Sequence, residues 1–276
     1  MSSPTDHPLS SGTEAPAPVL CERDGGVATV TFNRPDAMNA LDTPTKTALL
    51  AILQELAADP GVRCVVLTGS GRAFCVGQDL REHITLLGAR DESLWRTVPE
   101  HYNPIVELLA TMNKPVIAAL NGVAAGAGAA FAFAADLRIA ADTAGVNLAF
   151  AAIALSCDSG SSWSLPRLVG VARAKELLLM PRTVDAQEAL QLGLVTQVVP
   201  AAELAAAVAA LAGRLAAGPT LAYGSNRNAV AFGSAAPLSD ALAREAEYMA
   251  FTGATADHQA AVAAFLAKEK PTFTGR

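Results

Sequence analysis

The chain has 276 residues, a net charge of −6 and just over half its residues apolar, enough for one large domain with a sizeable core. It has no block of Lys and Arg, which excludes the clustered positive charge that a nucleic-acid partner needs. An anionic small ligand, which needs only a few local cations, is not excluded.

The first 18 residues are rich in Ser, Pro and Thr and lack the apolar run of a signal peptide, so they read as a disordered tail. Gly26 to Phe32 alternates small and β-branched residues and reads as a strand, followed by the turn chemistry of Asn33-Arg34-Pro35-Asp36. Thr43 and Pro44 open a helix over 45–58, with Leu49, Leu50, Ile52, Leu53 and Leu56 on its inner face. Arg63 to Thr68 is a buried strand. A short apolar piece, Ala73-Phe74-Cys75, precedes the turn Gly77-Gln78-Asp79-Leu80. Residues 81–100 have weak periodicity and mixed charge, the pattern of a mobile loop or a short helix. A helix over 102–112 ends at Lys114-Pro115.

From Pro115 to Ala135 there is no charge, and the stretch is long enough to span a bilayer. It is mostly Ala and Gly, whereas membrane spans rest on Leu, Ile, Phe and Val, so it reads as a buried strand, turn and helix. The strand is 116–120, the glycine-rich turn 122–128 and the helix 129–135. Leu137 to Ala140 is a further strand, and helices follow at 171–179 and 186–192, the second stopped by Gly193. Two long alanine-rich helices, 201–217 and 237–269, close the chain. The rhythm of strand, strand and helix predicts an α/β core over 19–200 with a helical region over 201–276, whose apolar faces suit oligomerisation.

The four cysteines form no C-x-x-C pair and read as free thiols in a reducing cytoplasm. The histidines, His7, His83, His101 and His258, have no metal-site spacing. The turn Gly126-Ala127-Gly128 lacks the third glycine of a dinucleotide fingerprint, since that position is Phe131. With the Gly77-Gln78 turn it forms a pair of loops that can each aim a backbone N–H at one oxygen, the minimum oxyanion hole. Spacing alone leaves open whether the two converge, or whether the glycines only allow close packing.

Seven segments in this order resemble the crotonase, or enoyl-CoA hydratase/isomerase, superfamily. They are Asn33-Arg-Pro-Asp-Ala-Met-Asn-Ala-Leu41, Val65-Val-Leu-Thr-Gly69, Gly71-Arg-Ala-Phe-Cys-Val-Gly-Gln-Asp-Leu80, Lys114-Pro-Val-Ile-Ala-Ala-Leu-Asn-Gly122, Asp136-Leu-Arg-Ile-Ala140, Leu165-Pro-Arg-Leu-Val-Gly170 and Ala189-Leu-Gln-Leu-Gly-Leu-Val195. The resemblance implies a spiral of ββα units with a helical C-terminal trimerisation region, assembling as a trimer or a dimer of trimers. It implies an acyl-CoA substrate, no separate cofactor or metal, and an oxyanion hole from the N–H groups of Gln78 and Ala127. It places Arg34, Met38, Ala40, Val76, Asp79 and Leu80 along the CoA, and Lys268 near a CoA phosphate. Asn103, Phe150 and Gly128 border the acyl pocket in the same way.

Hydratases of this family use two glutamates, whose positions here are Ala130 and Phe150, and neither side chain can move a proton. The neighbouring acid is Asp158, alone in an otherwise uncharged stretch from Thr143 to Leu165. A carboxylate in apolar surroundings gains basicity, although Asp158 or Ser159 could instead cap the following helix. Members resembling the phenylacetate-pathway ring-epoxide isomerases carry an aspartate here. The expected activity is an isomerase-type proton or double-bond shift through Asp158. The alternatives are a weak or inactive hydratase paralogue and a non-catalytic acyl-CoA binder.

Overall fold

The computed structural model describes residues 16–276. The tail expected over 1–18 therefore lies almost wholly outside the described residues.

Two antiparallel strands open the fold, β1 (Val19–Asp24) and β2 (Val27–Phe32). Their two-residue turn has Gly25 at φ +54°, the conformation that favours glycine. Helix α1 (Thr43–Ala58) follows, its first turn capped by the Asp42 carboxylate, which accepts from the Thr45 N–H at 3.0 Å. Then come β3 (Cys64–Gly69), β4 (Ala73–Cys75), α2 (Leu80–Gly88), α3 (Ser93–Thr97), a π turn at Val98–Tyr102 and α4 (Asn103–Thr111). The next unit is β5 (Val116–Leu120), β6 (Val123–Ala125) and α5 (Ala127–Ala134). The third is β7 (Leu137–Ala141), β8 (Gly145–Asn147) and α6 (Ser161–Leu179), broken at Gly170. The remaining elements are β9 (Val184–Asp185), α7 (Ala186–Leu192), β10 (Gln197–Val199), α8 (Leu204–Ala216), α9 (Thr220–Gly233), α10 (Leu238–Gly253) and α11 (Ala256–Ala267).

The strands form two sheets, β1-β2-β3-β5-β7-β10 and β4-β6-β8-β9. Each of the middle units sends its first strand to the large sheet, its second to the small one, and its helix back across them, which is the ββα spiral. The strands β2, β3, β5, β7 and β10 run parallel, and the central β5 is apolar and buried along its whole length, as a strand covered on both faces must be. The uncharged stretch 115–135 is resolved into β5, β6 and α5, and all eight residues of α5 are buried. Among the described residues no single helix is long and apolar enough to cross a membrane.

Three expectations need correction. Residues 81–100 are two helices and most of a π turn, not a loop or one short helix. The stretch 237–269 is two helices, because Thr255 caps α11 through the His258 N–H and ends the α10 run. Residues 161–170, unassigned from sequence, form the first half of α6. The chain from 201 onward is also not uniformly an appendage. Leu204, Val208, Ala212 and Ala216 of α8 are buried in the main core, whereas α10 and α11 leave Leu238, Leu242, Met249, Phe251, Phe265 and Leu266 exposed.

Candidate active site

Two turns meet at the edge of the small sheet. Gly77 has φ +81°, and a Cβ there would lie 2.9 Å from the Ala125 carbonyl oxygen and 3.2 Å from the Ala127 nitrogen. Gly128 is packed so closely that a Cβ would overlap the Cys75 carbonyl. Glycine is therefore needed at both positions for backbone to touch backbone. The Leu41 N–H donates to the Gly77 carbonyl at 2.8 Å, and the Asp79 N–H donates to Leu41 at 3.2 Å. The Gln78 N–H lies between these two bonds and donates to no backbone acceptor. Ala127 is the first residue of α5, and its N–H is likewise unpaired with backbone, as the opening N–H groups of a helix are. The two loops predicted from spacing thus converge, and both N–H groups belong to residues lining one cavity.

That cavity has a volume of about 180 Å³. Its walls are apolar, from Val76, Leu80, Leu94, Val98, Phe150 and Ile153, with Trp95 and His83 in edge-to-face contact on one side. The polar groups reaching it are those of Gln78, His83, Thr97, Tyr102 and Asp158. A larger depression of about 790 Å³ lies between α8 and the large sheet. Its Arg63 is tied to Thr220, Gly218 and Phe273, so that cation is engaged within the fold, and the smaller cavity is the candidate site.

Asp158 is half-buried and, among the described residues, is the one carboxylate lining this cavity. Burial pushes its pKa above the ordinary carboxyl value, partly offset by the Ser159 hydroxyl, which donates to Oδ1 at 2.8 Å. The capping alternative does not hold in the structure. Helix α6 has Gly160 at its N-cap and no side-chain cap, and Asp158 meets it only through its carbonyl, which accepts from the Ser161 N–H. Tyr102 stands close enough that the Asp158 charge joins burial in raising its phenol, so its hydroxyl stays protonated and donates. The Cys75 thiol, fully enclosed, is pushed up to about 12 by burial, which makes it a packing group rather than a nucleophile.

Residues 22–276 match the family model described as Enoyl-CoA hydratase/isomerase. The chain belongs to the enoyl-CoA hydratase/isomerase family. It is 39% identical to the 1,2-epoxyphenylacetyl-CoA isomerase of Escherichia coli K12, over 94% of this chain and 98% of that one. It is 35% identical to a 4-chlorobenzoyl coenzyme A dehalogenase of an Arthrobacter species, over 90% of this chain and 86% of the relative. Among solved structures, a Mycobacterium abscessus protein of enoyl-CoA hydratase/isomerase type superposes with a TM-score of 0.89 at 45% identity, covering 94% of this chain and 100% of that one. The ββα spiral is therefore the family's fold. The relatives' names span isomerisation and dehalogenation, so they do not fix the reaction.

Within this family fold, the residues expected along the CoA separate into two groups. Val76 and Leu80 line the cavity, and Leu80 is 53% exposed at its mouth. Arg34, Met38, Ala40 and Asp79 build the turn beside it. The Arg34 guanidinium is held by Asp42 and Asp79, each at 3.0 Å, and donates to the Ala40 carbonyl at 2.5 Å. Asp79 caps α2 through the N–H groups of Arg81 and Glu82. Burial opposes its ionisation, but Arg34 and these N–H groups outweigh burial and hold the carboxyl below its usual range. Both side chains clamp the loop, and neither charge is free. Sequence reading missed Asn39, fully buried at φ +58°, whose amide donates to the carbonyls of Ser70, Ala73 and Phe74 and fastens this turn to β4.

Of the residues expected at the acyl pocket, Phe150 lines the cavity, Gly128 is buried behind it, and Asn103 is exposed at the start of α4. Its neighbour Tyr102 is the residue that points inward. Lys268 sits in a left-handed conformation at the end of α11 and does not line the cavity. Ala130 is fully buried on α5.

Proposed function

We propose that this protein is an isomerase-type acyl-CoA enzyme that stabilises a thioester enolate and shifts a proton, and with it a double bond, through Asp158. The observation that carries the reading is the placement of Asp158, among the described residues the one carboxylate lining this cavity, together with Gln78 and Ala127, which line it too and whose N–H groups have no backbone acceptor there. The thioester oxygen would accept from both N–H groups, which bind the enolate oxygen more strongly than the neutral carbonyl. The Asp158 carboxylate takes a proton from the α- or γ-carbon. The electron pair passes into the enolate, and protonated Asp158 returns the proton at the other carbon. Water need not add, and Ala130 and Phe150 offer no group to activate it.

The test is incubation in deuterated water with a panel of enoyl-, dienoyl- and aryl-CoA thioesters, read by mass. Deuterium entering one acyl chain without hydration is the expected result. Uptake by none of them would favour a non-catalytic acyl-CoA binder. Crotonyl-CoA hydration should run well below the usual enzyme range of about 1–1000 per second. A rate within that range would mean that another acid and base serve this site.

Binding of the CoA portion is a separate expectation. Titration calorimetry with acetyl-CoA should give saturable heat that weakens as salt rises, because the CoA phosphates are anionic. Absence of both heat and thermal shift would remove the acyl-CoA reading. The unpaired apolar faces of α10 and α11 fit a homotrimer or a dimer of trimers. The four free cysteines fit a reducing cytoplasm.

A further inference from the structure

The inner face of α1 carries Leu49, Leu53 and Leu56, all fully buried, at helical spacing. One turn earlier on that face is Lys46, with its side chain 1% exposed. A buried ammonium is costly, and pairing it seldom repays the cost, so a charge in this stripe calls for a local reason. Its neighbours supply one. The Lys46 Nζ is 3.1 Å from Glu82 Oε1, 3.4 Å from Gln78 Oε1 and 5.7 Å from the centre of the Tyr102 ring.

The Gln78 amide is held at both ends. Its Oε1 accepts from the Tyr102 hydroxyl and from Lys46, and its Nε2 donates to Glu82 Oε1 at 3.4 Å. Glu82 is in turn fixed by Thr43, whose N–H donates to Oε2 at 2.7 Å and whose hydroxyl donates to Oε1 at 3.1 Å. Lys46, Gln78 and Glu82 border a second small cavity of about 150 Å³ that does not reach Asp158, while Tyr102 lines the reaction cavity. Gln78 therefore borders both spaces, its side-chain amide bonded to Tyr102, Lys46 and Glu82 and its backbone N–H without a backbone acceptor among the described residues.

We propose that Lys46, Glu82 and Tyr102 are positioning residues for the oxyanion hole: their hydrogen bonds to the Gln78 side chain hold the Gln78 N–H aimed into the reaction cavity. This rests on the reading that the Gln78 N–H receives the thioester oxygen. A backbone donor on a turn is only as well placed as the turn is fixed, and displacement by about 1 Å can cost about a hundredfold in rate. Residue 78 follows Gly77, whose φ of +81° makes the loop intrinsically permissive. The amide clamp restores the rigidity that the glycine removes.

The experiment is isotope-edited infrared spectroscopy of carbon-13-labelled crotonyl-CoA bound to the protein, with affinity measured in parallel. In the parent protein the thioester carbonyl band should fall below that of free crotonyl-CoA. In Tyr102→Phe, which keeps the ring, and in Gln78→Met, which keeps the backbone N–H, the band should return most of the way to the free value. Affinity should change by less than about tenfold. The double variant should resemble Gln78→Met alone, since both changes cut one network. Lys46→Met should act in the same direction although Lys46 does not line the reaction cavity. Should Lys46→Met fail to fold, the Tyr102 and Gln78 variants decide. A displaced band in the parent that is unchanged in those two variants overturns the clamp and leaves the oxyanion reading intact. An undisplaced band in the parent overturns the oxyanion reading, and the clamp with it.

Discussion

Asp158→Asn is expected to lower isomerisation and acyl-proton exchange by about 10²–10⁴-fold, the usual contribution of a positioned general base. Asparagine keeps the shape and accepts from the Ser159 hydroxyl, so the loop should hold. Acyl-CoA affinity should change little, because the oxyanion donors are backbone groups. Activity of the parent should rise with pH as Asp158 ionises, with a midpoint above the ordinary 3.8. Stability should run the other way. A carboxyl whose pKa is raised on folding contributes stability that is fully present below the unfolded value and lost as pH rises through the folded one. At neutral pH the parent therefore carries the cost of a buried charge that the asparagine variant lacks. The variant should melt at the same temperature or higher at pH 7, with its advantage shrinking as pH falls through the raised folded value and gone below about pH 4. Full exchange activity in Asp158→Asn would refute the assignment of the base.

Much of this site is legible in the sequence because its parts are backbone geometry written in glycine. Gly77, Gly126 and Gly128 mark two turns, and only glycine lets the second helix start against the Cys75 carbonyl. Asp158 stands out because no other charge lies near it in the chain. What the sequence hides is what depends on long-range partners. Asn103 and Tyr102 are adjacent, and no local pattern says which one turns inward. The π turn over 98–102 rotates Tyr102 against Phe131, with ring centres 6.0 Å apart. The helices at 80–97 have weak periodicity because one face covers a cavity rather than a core. The role of Gln78 as a backbone donor follows from its turn, but the engagement of its side chain with Lys46, 32 residues away, appears only once α1 is packed behind it. The break at 254–255 is masked by the alanines that continue the helical pattern through it.

Arg34 shows the same limit from the other side. The family resemblance sets it along the CoA, and the fold surrounds its guanidinium with two carboxylates and a carbonyl. Its guanidinium joins the turn after β2 to the caps of α1 and α2, so that turn and the Gly77-Gln78 turn are fixed as one piece. The amide of Asn39 does the same for β4. The loops that would meet the thioester are thus held by polar clamps from outside the cavity, whose own wall is mainly apolar with Gln78, His83, Thr97, Tyr102 and Asp158 as its polar residues.

Gly77→Ala is expected to remove most activity from a protein that still folds. The new methyl has two costs that can be separated. Alanine at φ +81° is strained by about 1–2 kcal/mol. The methyl also lies 2.9 Å from the Ala125 carbonyl and 3.2 Å from the Ala127 nitrogen, and both are backbone atoms that cannot rotate aside. Relief must come from the two turns moving apart, which carries the Gln78 and Ala127 N–H groups away from a shared oxygen. Losing one such donor typically lowers kcat by about 10²–10³-fold, and the variant should show a loss of that order. Gly25→Ala provides the comparison, since Gly25 has φ +54° and a Cβ there meets nothing within 4 Å. It pays the strain in the β1–β2 turn, far from the cavity. Gly77→Ala should lose at least as much melting temperature as Gly25→Ala, the excess reporting the methyl contact, while only Gly77→Ala loses turnover. If Gly77→Ala kept its full kcat, the convergence of these two N–H groups on the thioester oxygen would no longer explain the reaction.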